Sequence, residues 1–587
     1  MAARMSWPLQ RVDNNTFVQM DSYPEDKKEP DVEVMSIQSG GDSTQVVGSA
    51  DMFDENGNLR LIPMPSSDPK DPLNLPNWRK WTAIGTLCFF GSLALSAEVI
   101  IGSLIPIFLL EYAGLDPTTI RNIDFVAASG GKGTQLNPLA VIPQGVKPPS
   151  LEEVSMLATI PLLTNGIASY LLVPLSIAVG RRPVLLLTAV LAWAGGLWAG
   201  LSTSLESHLA ARAVMGLGAG AVEALIPLIV QDIVFIHQRS KAQSAIVASQ
   251  GFIIVGLGIA APYISANYDW RYLYYATSGA GIVAWLLLIA LLPETRWTRT
   301  KEALGGKSEE KLGPGEVRPQ LDYARFGPRT LWTNIGMFNF GFEWKNAGKS
   351  MLDTLRTTFF PAVIWGVLAN SVFLVTNQAA QQLGSFALLA QGWEFQWTGL
   401  AVIPFVLATG MVFVIVGPVA DKVSTKIAKR RNGVREAEFG LANTIIPFIS
   451  GIAGCFVFGY AGESTVHWSV LLVGSFLIVF GFLCLMVTIN VFIVESYPQW
   501  AGPVLVNVSS LKIIIAFFFA SLATTWVAQK GLLATFVIYA ETMIVISMFI
   551  PVLWFTGKKL RVWTSGRVRS KPNQRTRSFG AQSRFSQ

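Results

Sequence analysis

The sequence predicts an all-α membrane protein, with twelve membrane-spanning helices arranged as two six-helix bundles. Three observations carry this prediction. Of 587 residues, 51% are hydrophobic and only 14% are charged, about half the charged share of an ordinary globular protein, and the mean hydropathy is +0.44. Twelve apolar runs are each long enough to cross a hydrocarbon core of about 30 Å as a helix. A polar stretch divides them six and six, the plan of two bundles around a central pathway.

Residues 1–78 are polar and rich in Asp, Ser and Pro, and they read as a disordered cytosolic tail without a cleaved secretory signal. The first bundle is expected over 79–297, with spans near 81–110, 155–178, 184–203, 209–235, 243–264 and 272–292. A cytosolic central loop occupies 298–356. Within it, 338–344 suits either an amphipathic surface segment or a plain linker. The second bundle follows over 357–560, with spans near 357–388, 399–419, 442–461, 468–494, 503–526 and 533–556. A basic tail, 561–587, suits either anionic headgroups or phosphorylation. Pro106, Pro161, Pro227, Pro404 and Pro447 fall inside spans, where neighbouring helices satisfy the backbone groups a proline frees.

Cations set the orientation. Arg181 and Arg182, Arg239 and Lys241, the run from Lys422 to Arg431, and Lys558, Lys559 and Arg561 fall at alternate connections. The loops 204–208, 391–397 and 462–467 hold no Lys or Arg. Both termini are therefore expected in the cytosol. Cys88, Cys455 and Cys484 all lie in apolar runs, so no disulfide framework is expected. The three histidines show no metal-ligand spacing, and neither a metal nor a cofactor is expected.

Charges inside a bilayer cost roughly 3 kcal/mol each and usually face a cavity. Glu223 in the fourth span is the first candidate for proton coupling, followed by Glu98 in the first and Glu541 in the twelfth. No span carries a histidine in its middle, so carboxylates must carry any protons. The competing reading is a structural glutamate for Glu223, a substrate contact for Glu98 and a position at the aqueous edge for Glu541. Arg212 lies about 16 Å along the helix from Glu223, too far for a direct pair. Asn377, Gln378, Gln381 and Gln382 cluster in the seventh span, with 377 and 381 on one face. They, with Asn165 and Asn490, suit either a ligand or helix–helix hydrogen bonding. Lys512 is expected to snorkel to the cytosolic edge. Gly216, Gly218 and Gly220 echo a dinucleotide fingerprint, but no strand precedes them, so close helix packing is the better reading. Nothing resembles a nucleotide-binding domain or a nucleic-acid interface.

Several short motifs occur in a set order: Asp71-Pro72-Leu73-Asn74 before Trp78-Arg79-Lys80-Trp81, Gly180-Arg181-Arg182-Pro183, Arg212 to Gly216, and Gln231-Asp232 running to Arg239. Trp270-Arg271, Pro293-Glu294-Thr295-Arg296, Arg431 to Glu436, and Glu495-Ser496-Tyr497-Pro498 follow. Together they resemble fungal-type major facilitator superfamily transporters, especially the drug and polyamine proton antiporter branch, from about Asp68 to Thr564. The resemblance implies a monomer in the lipid bilayer that moves a small molecule together with protons. It also implies the plasma membrane, with the vacuolar membrane as alternative. Arg181, Arg182, Arg212, Asp232, Asp421 and Lys422 are read as gating or topology residues, and a purely topogenic role fits Arg181 and Arg182 equally. The chain departs from the family at Val173, Ile177 and Ala178, where a glycine, an acid and a base are usual. It also departs in the fifth span, where Gly256, Gly258 and Pro262 stand without the Gly-Pro pair. The favoured reading is proton-coupled efflux of a xenobiotic or secondary metabolite. Uptake of a cationic amine or nutrient, and a non-transporting membrane sensor, are the alternatives.

Overall fold

The computed structural model describes residues 61–128, 131, 137–143, 145–300, 303, 318–330, 333, 341–412, 437–497 and 500–566. Among the described residues there is no strand, and eleven helices are long and apolar enough to cross a membrane. The first six spans are α1 (Asn77–Tyr112), α2 (Leu151–Val179), α3 (Arg181–Leu201), α4 (Leu205–Ile233), α5 (Lys241–Asn267) and α6 (Arg271–Leu291). The second six are α7 (Pro361–Ala390), the shorter α8 (Phe395–Met411), α9 (Gly440–Glu463), α10 (Trp468–Ser496), α11 (Ala501–Lys530) and α12 (Leu532–Arg561). The expected eighth span continues beyond the described residues, and Asp421 and Lys422 lie outside them, as does the side chain of Glu98.

Prolines place the breaks. Pro106 has no N–H to offer the carbonyl of residue 102, and α1 tightens to a 3-10 stretch at Ile100–Leu104 before resuming at Ile105. Pro227 likewise leaves the carbonyl of Glu223 without its helical donor. There α4 divides into Leu205–Glu223 and Leu225–Ile233, with Ala224 displaced to φ −121°. The break thus falls at the carboxylate singled out from the sequence.

Because lipid tails are as apolar as leucine, helices in a bilayer associate through close packing of small residues. Gly216 shows the fit: a Cβ there would overlap Thr164 Oγ1 and the Pro161 carbonyl of α2. Gly218 and Gly220 press on α3 and α2 in the same way, so the glycine triplet is a packing seam. In the first bundle α2 and α3 pack on α4, and α5 packs on α1. In the second, α10 and α12 pack on α9, and α11 packs on α7. Contacts between the bundles run along α2–α11, α5–α8 and the distal part of α1 against α7.

One end of the molecule carries Arg181, Arg182, Arg296, Arg299 and Arg561 and is called here the basic face; the other is the far face. An apolar cluster that extends along the second bundle as far as Phe360, Phe492 and Tyr497 takes in only the far-face half of the first, and there Phe108, Phe125 and Trp270 join Phe386, Phe395 and Leu471. The basic-face half of the first bundle packs separately, around Leu87, Val184, Ile226 and Leu288. The bundles are therefore closed against each other at the far face.

Residues 61–76, expected to belong to a disordered tail, are instead seated on the basic face. The fully buried Asp71 accepts hydrogen bonds from the Leu73 and Ser66 N–H groups and from Ser66 Oγ. It also forms a bidentate pair with Arg299 at 2.6 and 3.0 Å. Lys80 Nζ donates to the Leu73 carbonyl at 2.8 Å. A buried carboxylate needs such compensation, and Arg299 supplies it from far along the chain. In the central region an amphipathic helix forms over Trp344–Thr358, while residues 338–340 of the segment expected at 338–344 lie outside the described residues. Its buried Thr354 and Thr357 accept hydrogen bonds from Asn507 of α11.

Candidate functional site

A cavity of about 180 Å³ lies at mid-height, where α1, α2, α4, α5, α7, α8, α10 and α11 converge. Its polar lining is Asn165, Glu223, Gln250, Asn377, Gln378, Gln381, Thr409 and Lys512. Its apolar lining includes Leu95, Leu162, Phe405, Phe482 and Met486. Five candidates chosen from the sequence thus meet at one site, drawn from both bundles.

Lys512 corrects the sequence expectation. It does not reach the membrane edge, because it lies eleven residues into α11, about 16 Å along the helix. Instead it is 3% exposed, with Nζ 3.5 Å from Glu223 Oε2 across the bundle interface. The pair is loose, since a charge-assisted hydrogen bond runs at about 2.7–2.9 Å. The ammonium's other near neighbour is Met486 Sδ at 3.9 Å, a weak acceptor. Coulomb attraction at this distance is gross about 5 kcal/mol for an effective dielectric near 20. An ion pair between α4 and α11, beside the break that Pro227 makes, responds directly to how the bundles sit.

The amides of α7 face the same space. Asn377 is 4% exposed and its Oδ1 has no hydrogen-bond partner among the described residues. A buried amide oxygen left this way is costly unless a ligand or water fills its needs. Asn165 is engaged with Ser169, whose hydroxyl donates to Asn165 Oδ1 at 3.2 Å. Two candidates fall elsewhere. Asn490 sits on α10 away from the cavity lining, and Glu541 is exposed on α12.

The arginine candidates build the basic face. The N–H groups of Arg181 and Arg182 donate to the two carboxylate oxygens of Glu294 at 3.0 and 3.2 Å, which caps α3 with an acid. Gly180, at φ +129°, makes the turn into that cap, and a Cβ there would meet Glu294 Oε2 at 2.7 Å. Arg181 pairs with Asp232 at the end of α4 at 3.3 Å, and Arg182 Nη2 donates to the Ile289 carbonyl of α6 at 2.6 Å. Arg296 pairs with Glu343 at 2.8 Å and donates to the carbonyls of Ala178 and Gly341. Hydrogen bonds from Asn346 and Arg296 hold the Glu343 carboxyl below its usual range. The acid absent from the α2–α3 connection is thus supplied by Asp232, Glu294 and Glu343.

Toward the far face, Arg212 is fully buried and donates to the carbonyls of Leu157 and Ala97, tying α4 to α2 and α1. His208, placed at a loop end by the sequence reading, lies one turn inside α4 because Ser204 caps that helix. Its ring nitrogens meet the hydroxyls of Tyr112 at 2.8 Å and Tyr274 at 2.9 Å, and the ring stacks on Trp270.

Two helical bundles closed at one face around a mid-membrane cavity, bridged by an ion pair, define a secondary transporter. The Major Facilitator Superfamily model matches residues 83–510, and the chain belongs to that family. Among curated relatives, Protein HOL1 of Saccharomyces cerevisiae is 22% identical over 86% of this chain and 90% of its own length. Efflux pump radE of Floropilus chiversii is 22% identical over 84% and 83%. Among solved structures, the xylose transporter XylE from E. coli, in a partially occluded inward-open conformation, aligns at TM-score 0.51 and 15% identity. That alignment covers 82% of this chain and 98% of XylE. A POT family transporter aligns at TM-score 0.52 and 12% identity, over 84% and 99%. At these identities the solved structures report the fold alone. The chain is a multi-pass membrane protein that transports small molecules.

Proposed function

We propose that the protein exports a small amphipathic molecule in exchange for protons, with the Glu223–Lys512 pair as the coupling device. The observation that carries this reading is the position of the pair: one charge on each bundle, inside the central cavity, 3.5 Å apart. With Glu223 ionised the pair ties α4 to α11. A proton on Glu223 removes the attraction and so biases the equilibrium between arrangements of the bundles. Export is supported by the names of two relatives, efflux pump radE and probable efflux pump mfs2 of Aspergillus flavus. The proposal includes a monomer in the plasma membrane, with the basic face and both termini in the cytosol; the cation distribution supports that orientation.

The test is transport in liposomes loaded with a panel of amphipathic solutes under an imposed proton gradient. The expected result is gradient-driven movement of at least one solute by the wild type. Glu223→Gln should retain solute–solute exchange without a gradient but lose gradient-driven movement. Equal driven transport in Glu223→Gln would remove the pair from the mechanism.

A further inference from the structure

A second, smaller cavity of about 70 Å³ lies on the far-face side of the first. The two share Ile254, Asn377, Gln381 and Phe405, so the α7 amides stand at their junction. Along α7 the pair of cavities extends from Leu374 to Leu388, on the order of 20 Å at about 1.5 Å per residue. The second cavity has no ionisable side chain in its lining and is mainly apolar. Of its hydroxyls, Ser103 and Thr398 donate to carbonyls of their own segments, at 2.8 and 2.7 Å, and ask nothing of a ligand. Gly384 opens this chamber: a Cβ built on it meets nothing within 4 Å. At the junction, Asn377 keeps an unpartnered, buried Oδ1. In the first cavity the two charges already face each other, so the site as a whole is electrically neutral.

We propose that the transported molecule is an uncharged, elongated amphipath whose hydrogen-bonding head is held by Asn377 and Gln381 and whose apolar tail fills the chamber beside Gly384. The proposal rests on the transport reading above only in taking this cavity as the solute's site. A charge carried into the second chamber would be desolvated without a counter-charge. A charge at the first cavity would have to displace one member of the pair. A primary amide or alcohol instead satisfies Asn377 Oδ1 with its own N–H or O–H.

The test uses the full chain in lipid nanodiscs, with intrinsic tryptophan fluorescence followed during titration and empty nanodiscs subtracted. The probes are butanamide, octanamide, octanoate and octylamine. For the wild type, octanamide is expected to bind on the order of a hundredfold tighter than butanamide, given four further buried methylenes, and tighter than either charged probe. Gly384→Leu should abolish the advantage of the longer chain and leave butanamide unchanged. Asn377→Leu should weaken both amides by about tenfold. Gly384→Ala, whose methyl meets no protein atom, checks that substitution at this position leaves the fold intact and should weaken octanamide less than Gly384→Leu does. Octylamine or octanoate binding as tightly as octanamide would overturn the proposal, as would equal weakening of both amides by Gly384→Leu. The titration applies no gradient. A protein that binds octanamide as described but moves no protons would therefore overturn the coupling reading and leave this one standing.

Discussion

Breaking the Glu223–Lys512 pair from either side should not be symmetric. The side chain of Lys512 is 4% exposed, while that of Glu223 retains 20%. Glu223→Gln leaves a buried ammonium with Met486 as its main neighbour, and removing one partner of a buried pair costs about 3–5 kcal/mol. Lys512→Met leaves a carboxylate that still reaches water, so the loss should be smaller, about 1–2 kcal/mol. The double variant removes both charges and lets a methionine pack against Met486. It should be more stable than Glu223→Gln alone. The gross attraction of about 5 kcal/mol at 3.5 Å is offset by desolvation, leaving a coupling energy on the order of 2 kcal/mol. Equilibrium unfolding in mixed micelles, run as a double-mutant cycle on four proteins, measures it. Strictly additive losses in the double variant would refute the reasoning.

Three further outcomes follow from particular contacts. Asp71→Asn should destabilise the protein by about 3 kcal/mol, because it leaves the Arg299 guanidinium without its buried anion; limited proteolysis should then cut within residues 61–76. Gly216→Ala should lower stability by roughly 1–3 kcal/mol, read by the same unfolding assay, since the methyl overlaps Thr164 and the Pro161 carbonyl. Glu541→Gln should leave proton-driven transport within about twofold of wild type, because the side chain is exposed on α12 outside the cavity. A larger fall would return Glu541 to the coupling machinery.

Much of this architecture is legible in the sequence because a bilayer imposes a length on each apolar run and puts a free-energy penalty on each charge within it. Glycine packing at Gly216 was readable for the same reason: no strand could precede it. The residues of the central cavity were readable as types, since amides and acids inside spans need a reason to be there. Which of them meet was not. Glu223 and Glu541 sit in similarly apolar runs, and only the rotation of each helix within its bundle sends one to the cavity and the other outward. Lys512 looked like a snorkelling residue because its partner lies on another helix of the other bundle. The ordered stretch 61–76 carries the composition of a tail, and its anchor, the Asp71–Arg299 pair, joins positions that no local pattern connects. His208 was assigned to a loop because the capping role of Ser204, which starts the helix earlier, was not used.

The central claim is that a proton on Glu223 breaks its pair with Lys512 and so couples proton movement to solute movement in the opposite direction. It is tested most directly in weakly buffered liposomes that hold the protein, by imposing a solute gradient with no initial pH difference and following the internal pH. Proton movement opposite to the solute in the wild type, and none in Glu223→Gln, is the result the account predicts. Proton movement in the same direction as the solute, or the same movement in Glu223→Gln, would contradict it.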